Sequence, residues 1–501
     1  MRLIAALLSF MILLGSSPIL AQNILIKNAQ IIDGSGKAGF YGDVRIVGDI
    51  IKDIGTLTAT PKDTVIDAQG LTLSPGFVDS HSHHDFDLDN NRAMLAALSQ
   101  GITTVIIGQD GGMNWPLDGF FKDIENNPIG VNLASFVGHN SLRQMVMGER
   151  STGPATANDI DEMKNLLSLG MQAGALGLST GLEYEPGIYS KTDEVIELSK
   201  VAKSYGGLYT SHIRSEDRHV YQALKELVTI GQQADIPVHV SHIKLAMPSL
   251  WGQAQKALEI LENGIADGVD ISAEVYPYTH WQSTMQVILP ERNLDDHAAV
   301  SEALRNLLPP EDMLFSTYSL DKSVEGKTLA ELAIERDMDP VDLYIKLAKD
   351  IEAAQESGDD SARESIIGRG MAEEDIAAFM QWPHTSFCSD GSHAGHPRGH
   401  GAFARIMGHY VRDMKVLDLP TAIHKASHKT AQRFGLKNRG LIAPNHKADL
   451  ILFDPETIID NATFKNPTEQ SSGISVVWVN GKIAFENGKA TTIKNGTLLK
   501  R

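Results

Sequence analysis

Hydrophobic and polar positions give the chain three textures. From about Asn23 to Gly70 short apolar stretches alternate with polar residues, as in Ile24-Leu25-Ile26, Asp43-Val44-Arg45-Ile46 and Val65-Ile66-Asp67, with Gly and Asp at turn spacing. This predicts half-buried strands. The same texture returns in Ala448-Asp449-Leu450-Ile451-Leu452-Phe453 and Val476-Val477-Trp478-Val479-Asn480-Gly481. Neither end has enough strands to bury a face alone, so residues 22–72 and 439–501 are expected to build one small β-sandwich together.

The middle alternates continuous apolar runs with amphipathic stretches such as Val220 to Ile230. The runs begin at Gly76, Thr103, Val131, Leu176, Leu208, Val238, Ile271 and Thr385. Strands buried on both faces read this way, and eight of them with intervening helices predict an α/β fold, a (β/α)8 TIM-type barrel over residues 73–283 and 385–438. Residues 284–384 break the rhythm. They are charged, read as mostly helical, and form an expected insertion between strands seven and eight that caps the barrel mouth.

The third texture is Arg2 followed by the apolar run Leu3 to Leu14 and the small residues leading to Ala21. Charge, apolar run and small-residue site predict a secretory signal over 1–21 and an exported protein, periplasmic or secreted. The run, about 12 residues, is shorter than the ~20 that span a bilayer, so no stable membrane insertion is expected after its removal. A formal charge of −19 without a Lys/Arg-rich stripe argues against nucleic-acid partners and leaves a small molecule as the expected substrate. Cys388 is the only cysteine, so no internal disulfide forms.

Candidate chemistry gathers at strand ends. His81-Ser82-His83 closes the first strand, and positions two apart project to one face. Tyr209-Thr210-Ser211-His212 and His239-Val240-Ser241-His242 place Ser-His at matching registers of strands five and six, one βα unit apart. Strand eight delivers Ser389-Asp390-Gly391. Four histidines and a carboxylate at the end of a barrel where active sites lie point to a divalent metal such as zinc. The metal would lower the pKa of bound water to about 7, with Asp390 as general base and acid. His139 is read as the start of a helix and Cys388 as structural.

These motifs resemble those of the amidohydrolase superfamily, and within it the D-aminoacylases, over most of the chain. The resemblance rests on Pro75-Gly76-Phe77-Val78-Asp79-Ser80-His81-Ser82-His83, Gly177 to Gly187, Ser241-His242-Ile243-Lys244, Tyr276-Pro277-Tyr278, Ser389-Asp390-Gly391, His396-Pro397-Arg398-Gly399 and Asn445 to Leu450. It implies a tightly held zinc on His212 and His242, a weaker position on His81 and His83, and Asp390 as base and acid. One or two zinc ions, or another divalent metal, would serve. The family completes the tight site with a cysteine; here Asp110 stands there, a harder ligand. The resemblance also implies that Arg398, Lys244 and Tyr276 surround the substrate α-carboxylate, with Tyr184 near the scissile amide and Ser283 a weaker candidate. His280 and Trp281 are bulkier than the family's usual residues there.

The expected reaction is therefore hydrolysis of N-acyl-D-amino acids or of short peptides ending in a D-residue. A cyclic amidase of dihydroorotase or hydantoinase type is the alternative; the lysine many of those carry after strand four is missing from Leu178-Ser179-Thr180-Gly181. A non-catalytic binding barrel would be expected to lack Asp390 or a metal histidine.

Overall fold

The computed structural model describes residues 23–501; the expected leader lies outside them. Eight parallel strands occupy the centre: β1 Phe77–Asp79, β2 Ile102–Ile107, β3 Asn132–Ser135, β4 Gly177–Gly181, β5 Leu208–His212, β6 Val238–Val240, β7 Ile271–Val275 and β8 Thr385–Phe387. All their residues are buried, which is why they read as continuous apolar runs. One sheet runs β1–β2–β3. The short extension Val137–Gly138 of β3 begins a second, which continues through β4 to β8 in order. A parallel bridge between Ser82 and Gly391 joins the segments leaving β1 and β8. There the Asp390 amide donates to the His81 carbonyl at 2.9 Å and the His83 amide to that of Gly391 at 2.9 Å.

Helices cover the outside of these strands. Ala157–Ala173 opens on a capping box in which Thr156 and Asp159 exchange side-chain and backbone hydrogen bonds. Val220–Ala234 buries Leu224, Leu227, Val228 and Gly231 on one stripe. Residues near the C-terminus pair with β3. Leu498 bridges Leu133 in parallel, the Leu133 amide donates to Thr497 at 3.0 Å, and the Leu499 amide donates back at 2.7 Å.

Strands from both ends of the described residues meet in one hydrogen-bonded sheet of nine, where Thr72–Pro75 lies between Asn23–Ile31 and Leu450–Phe453. Ile26, Val44, Ile51, Leu73, Leu450 and Trp478 form its apolar interior. The unit between β7 and β8 also has its own core, around Val300, Phe315, Leu343, Tyr344 and Ile366. It is less helical than its charge pattern predicts, because His280–Ser283, Glu364–Arg369 and Met313–Tyr318 form an antiparallel sheet. Pairing of His280–Ser283 with Glu364–Arg369 also starts the unit before residue 284. His-Trp-Gln-Ser lacks an apolar alternation, which hid the strand.

Register sets up the site. Ser211 pairs with both Thr180 and Val240, Val240 with Ala273, and Val275 with Phe387. The last residues of β4 to β8 and those just past them therefore come level at the same end of the molecule.

Candidate metal centre and active site

Three of the expected site residues sit in the left-handed backbone region, Asp110 at φ 53°, His242 at 32° and Asp390 at 47°. Such conformations cost non-glycine residues roughly 1–3 kcal/mol and concentrate at functional sites. The surroundings hold them there. Asp110 rides on the turn Gly108–Gly111, pinned from β4 by Ser179, whose hydroxyl donates to the Gly108 carbonyl at 2.5 Å and accepts from the Gly111 amide at 3.3 Å. Gly108 itself has φ 73°, and a Cβ on it would lie 2.7 Å from the Ser135 hydroxyl. Asp390 follows Ser389, whose amide and hydroxyl both donate to Asp79 on β1, at 2.7 and 2.6 Å.

Around Asp110 three imidazoles converge. His81 Nε2 and His83 Nε2 each lie 3.3 Å from Asp110 Oδ2, and His242 Nε2 lies 3.3 Å from Oδ1. Asp390 Oδ1 approaches His81 and His83 at 3.6 and 3.4 Å. His212 joins through His242, with 3.2 Å between their ring nitrogens. The grouping differs from the one the resemblance implies. His81, Asp110, His242 and Asp390 form one set of convergent donors; His212, Glu216 and His242 form a second; His242 belongs to both.

Sequence reading missed three carboxylates. Glu274, buried in β7, lies 2.8 Å from His81 Nδ1 and 3.0 Å from His239 Nε2. Glu183 lies 2.9 Å from His212 Nε2, and Glu216 lies 3.0 Å from His242 Nδ1. Only Glu274 left a signal, a charge inside a fully buried strand. Its contact with Nδ1 of His81 leaves Nε2 facing the other donors, the usual way a carboxylate orients a ligating imidazole.

Electrostatics keep the acidic donors ionised. Burial alone would raise the Asp110 carboxyl, but the facing His81, His242 and His83 hold it well below the ordinary range. The same opposition holds Asp390 low, with the Arg398 guanidinium as the main counterweight to burial. Burial also lowers the His83 imidazole, yet hydrogen bonds to Asp110 and Asp390 prevail and push it up to about 9. A group of ionised carboxylates and imidazole nitrogens within reach of one another fits a divalent cation.

The groups expected at the substrate carboxylate divide. Arg398 Nη1 holds Asp390 Oδ2 at 2.7 Å, while its Nε is buried without a partner among the described residues, as is the Tyr276 hydroxyl. The guanidinium lies 4.8 Å over the Tyr276 ring. Burial pushes the Tyr276 phenol well above its ordinary range, so it remains a donor. Lys244 is placed differently from expectation. Its ammonium contacts both Glu216 oxygens and His242 Nδ1, each at 2.7 Å. An ammonium has three hydrogens, so none is left for a substrate carboxylate. The Tyr184 ring lies 4.2 Å from that of His212.

Other expected residues fall as follows. His139 begins the helix His139–Met147 and contacts Glu194 at 2.8 Å, outside the cluster. Cys388 is buried. Ser283 and Trp281 line the cavity that opens on the site, whereas His280 packs its ring 4.6 Å from Phe464.

The chain matches the model of the amidohydrolase family over residues 64–308 and 327–485. It is 32% identical to D-aminoacylase of Alcaligenes xylosoxydans xylosoxydans over 96% of this chain and 98% of that one. The chain belongs to the D-aminoacylases of the amidohydrolase family. The segment the family model omits, 309–326, lies within the unit between β7 and β8. Among solved structures, this amidohydrolase resembles a D-aminoacylase with a binuclear metal center (32% identity, TM-score 0.84, 95% of this chain and 99% of that one). It also resembles N-acyl-D-glutamate deacylase from Bordetella bronchiseptica complexed with zinc and a phosphonate inhibitor (28% identity, TM-score 0.85, 95% and 99%). The amidohydrolase shares their α/β barrel-type fold, and its convergent donors stand at the strand ends.

Proposed function

We propose that this amidohydrolase cleaves the amide bond of N-acyl-D-amino acids, or of short peptides ending in a D-residue, releasing a carboxylate and a free D-amino acid. The reading is carried by one observation: imidazoles and carboxylates converge at the strand ends of a chain that aligns end to end with a D-aminoacylase. Zinc is the proposed metal, one or two ions, held by His81, His83, Asp110, His212, His242 and Asp390. A divalent cation bound there would supply Lewis acidity and a water that ionises near neutral pH, about 7.

The chain's own groups do the rest. Arg398 Nε and the Tyr276 hydroxyl, both buried without partners among the described residues, are the donors for the substrate α-carboxylate, and a guanidinium suits a planar anion. Fixing that carboxylate orients the amide toward Asp390 and decides which enantiomer fits. Asp390, ionised beside Arg398, takes the proton from water and returns it to the leaving amine. Glu274 holds His81, and Lys244 with Glu216 holds His242. Tyr184, its ring 4.2 Å from that of His212, lies beside the scissile amide. The unit between β7 and β8 covers the site as a cap, the nine-stranded sheet acts as a β-sandwich support, and 1–21 directs export to the periplasm or beyond. A cyclic-amidase reading has less support, because β4 ends in Ser179-Thr180-Gly181 with no lysine.

A panel of N-acetyl D- and L-amino acids tests the reaction. Amine release is expected from D-substrates, with L-enantiomers slower by two orders of magnitude or more. Equal rates, or hydrolysis confined to cyclic amides, would rule the reading out.

A further inference from the structure

Two cavities share Asp390 and Arg398. The larger, about 820 Å³, extends past His83 and Phe86. The smaller, about 40 Å³, lies beside His212 and Lys244, and its apolar wall is Ala246, Trp281, Val287, Ile288 and Leu307. All of that wall except Ala246 comes from the unit between β7 and β8. Trp281 is its largest member, and its seat is specific. It pairs with Gly368 on the neighbouring strand. A Cβ on Gly368 would lie 2.6 Å from the indole Cζ2, and a Cβ on Gly370 would collide with Cδ1 and Nε1. Two glycines therefore let the indole lie across the strand as part of the wall of the smaller cavity.

We infer that Trp281, seated on Gly368 and Gly370, caps the pocket for the D-amino-acid side chain and restricts this enzyme to short, uncharged side chains. This rests on the proposed N-acyl-D-amino-acid reaction. The space left, about 40 Å³, is well under the roughly 150 Å³ of an apolar cavity that takes up benzene. It admits a methyl or a small aliphatic group but no aromatic ring. Acidic side chains are disfavoured for a separate reason. Glu183, Glu216 and Asp217 line the same cavity, and the one lysine among the lining residues is already committed to Glu216. A second substrate carboxylate would meet like charge. The Bordetella bronchiseptica relative is named for a D-glutamate substrate, so this chain is expected to diverge from it in side-chain choice.

The test is kcat/KM of the full-length protein on N-acetyl derivatives of D-alanine, D-phenylalanine, D-tryptophan and D-glutamate. Wild type is expected to favour D-alanine. Trp281→Ala should raise the D-phenylalanine to D-alanine ratio at least about tenfold, the low end of what one methylene-sized change produces in an apolar pocket. D-glutamate should stay poor. Gly370→Ala, which pushes the indole off its seat, should change the ratio in wild type and leave it unchanged in the Trp281→Ala background; it also serves if Trp281→Ala fails to fold. A ratio unmoved by both changes, or wild type cleaving the D-tryptophan derivative as readily as the D-alanine one, overturns the gate alone. Absence of hydrolysis of every D-derivative overturns the reaction and the gate together.

Discussion

Replacing Asp390 by asparagine is expected to preserve the fold and the metal content while lowering kcat about 10²–10⁴-fold, the range a positioned acid–base group contributes. The amide keeps the shape of the carboxylate, but its single oxygen can either accept from Arg398, as Oδ2 does at 2.7 Å, or face His81 and His83, as Oδ1 does, and not both. What it loses is the ability to carry a proton. The change also leaves a buried guanidinium without a counter-ion, which costs stability on the order of 3–5 kcal/mol, so a thermal melt should accompany the kinetics. A folded, metal-replete variant with near-normal kcat would remove Asp390 from the proton transfer.

The second large effect concerns Asp110. Its carboxylate touches three imidazoles at 3.3 Å, more than any other acidic group of the cluster. Asp110→Ala should therefore weaken metal retention by more than the roughly 10–100-fold caused by losing an outer partner of a ligand. Asp110→Cys should recover zinc binding and shift preference from hard cations toward zinc, because a thiolate is a softer donor. Dialysis against graded chelator, followed by metal analysis, reads both. Unchanged zinc content in Asp110→Ala would exclude Asp110 as a ligand.

Much of the frame was legible in the chain before its structure. Parallel strands buried on both faces announce themselves as apolar runs, and chemistry in such a fold stands just past each run. His81, His83, His212, His242 and Asp390 could therefore be found from position alone. What lies between them could not. Glu183 and Glu216 follow their strands without local pattern, and their partners sit on neighbouring units. Spacing pairs His212 with His242 but does not say that Asp110 lies among His81, His83 and His242. Lys244 shows the same limit. The family resemblance implies a substrate contact for Lys244, yet Glu216 and His242 take all three of its hydrogens. The pairing of Leu498 with Leu133 is likewise long-range, and no periodicity encodes it.

The most direct measurement is metal removal and return in the wild-type protein, with N-acetyl-D-alanine as substrate. Chelation should abolish amine release, and addition of zinc should restore it in proportion to the metal bound. A metal-free protein that turns over the substrate at an undiminished rate would contradict the account.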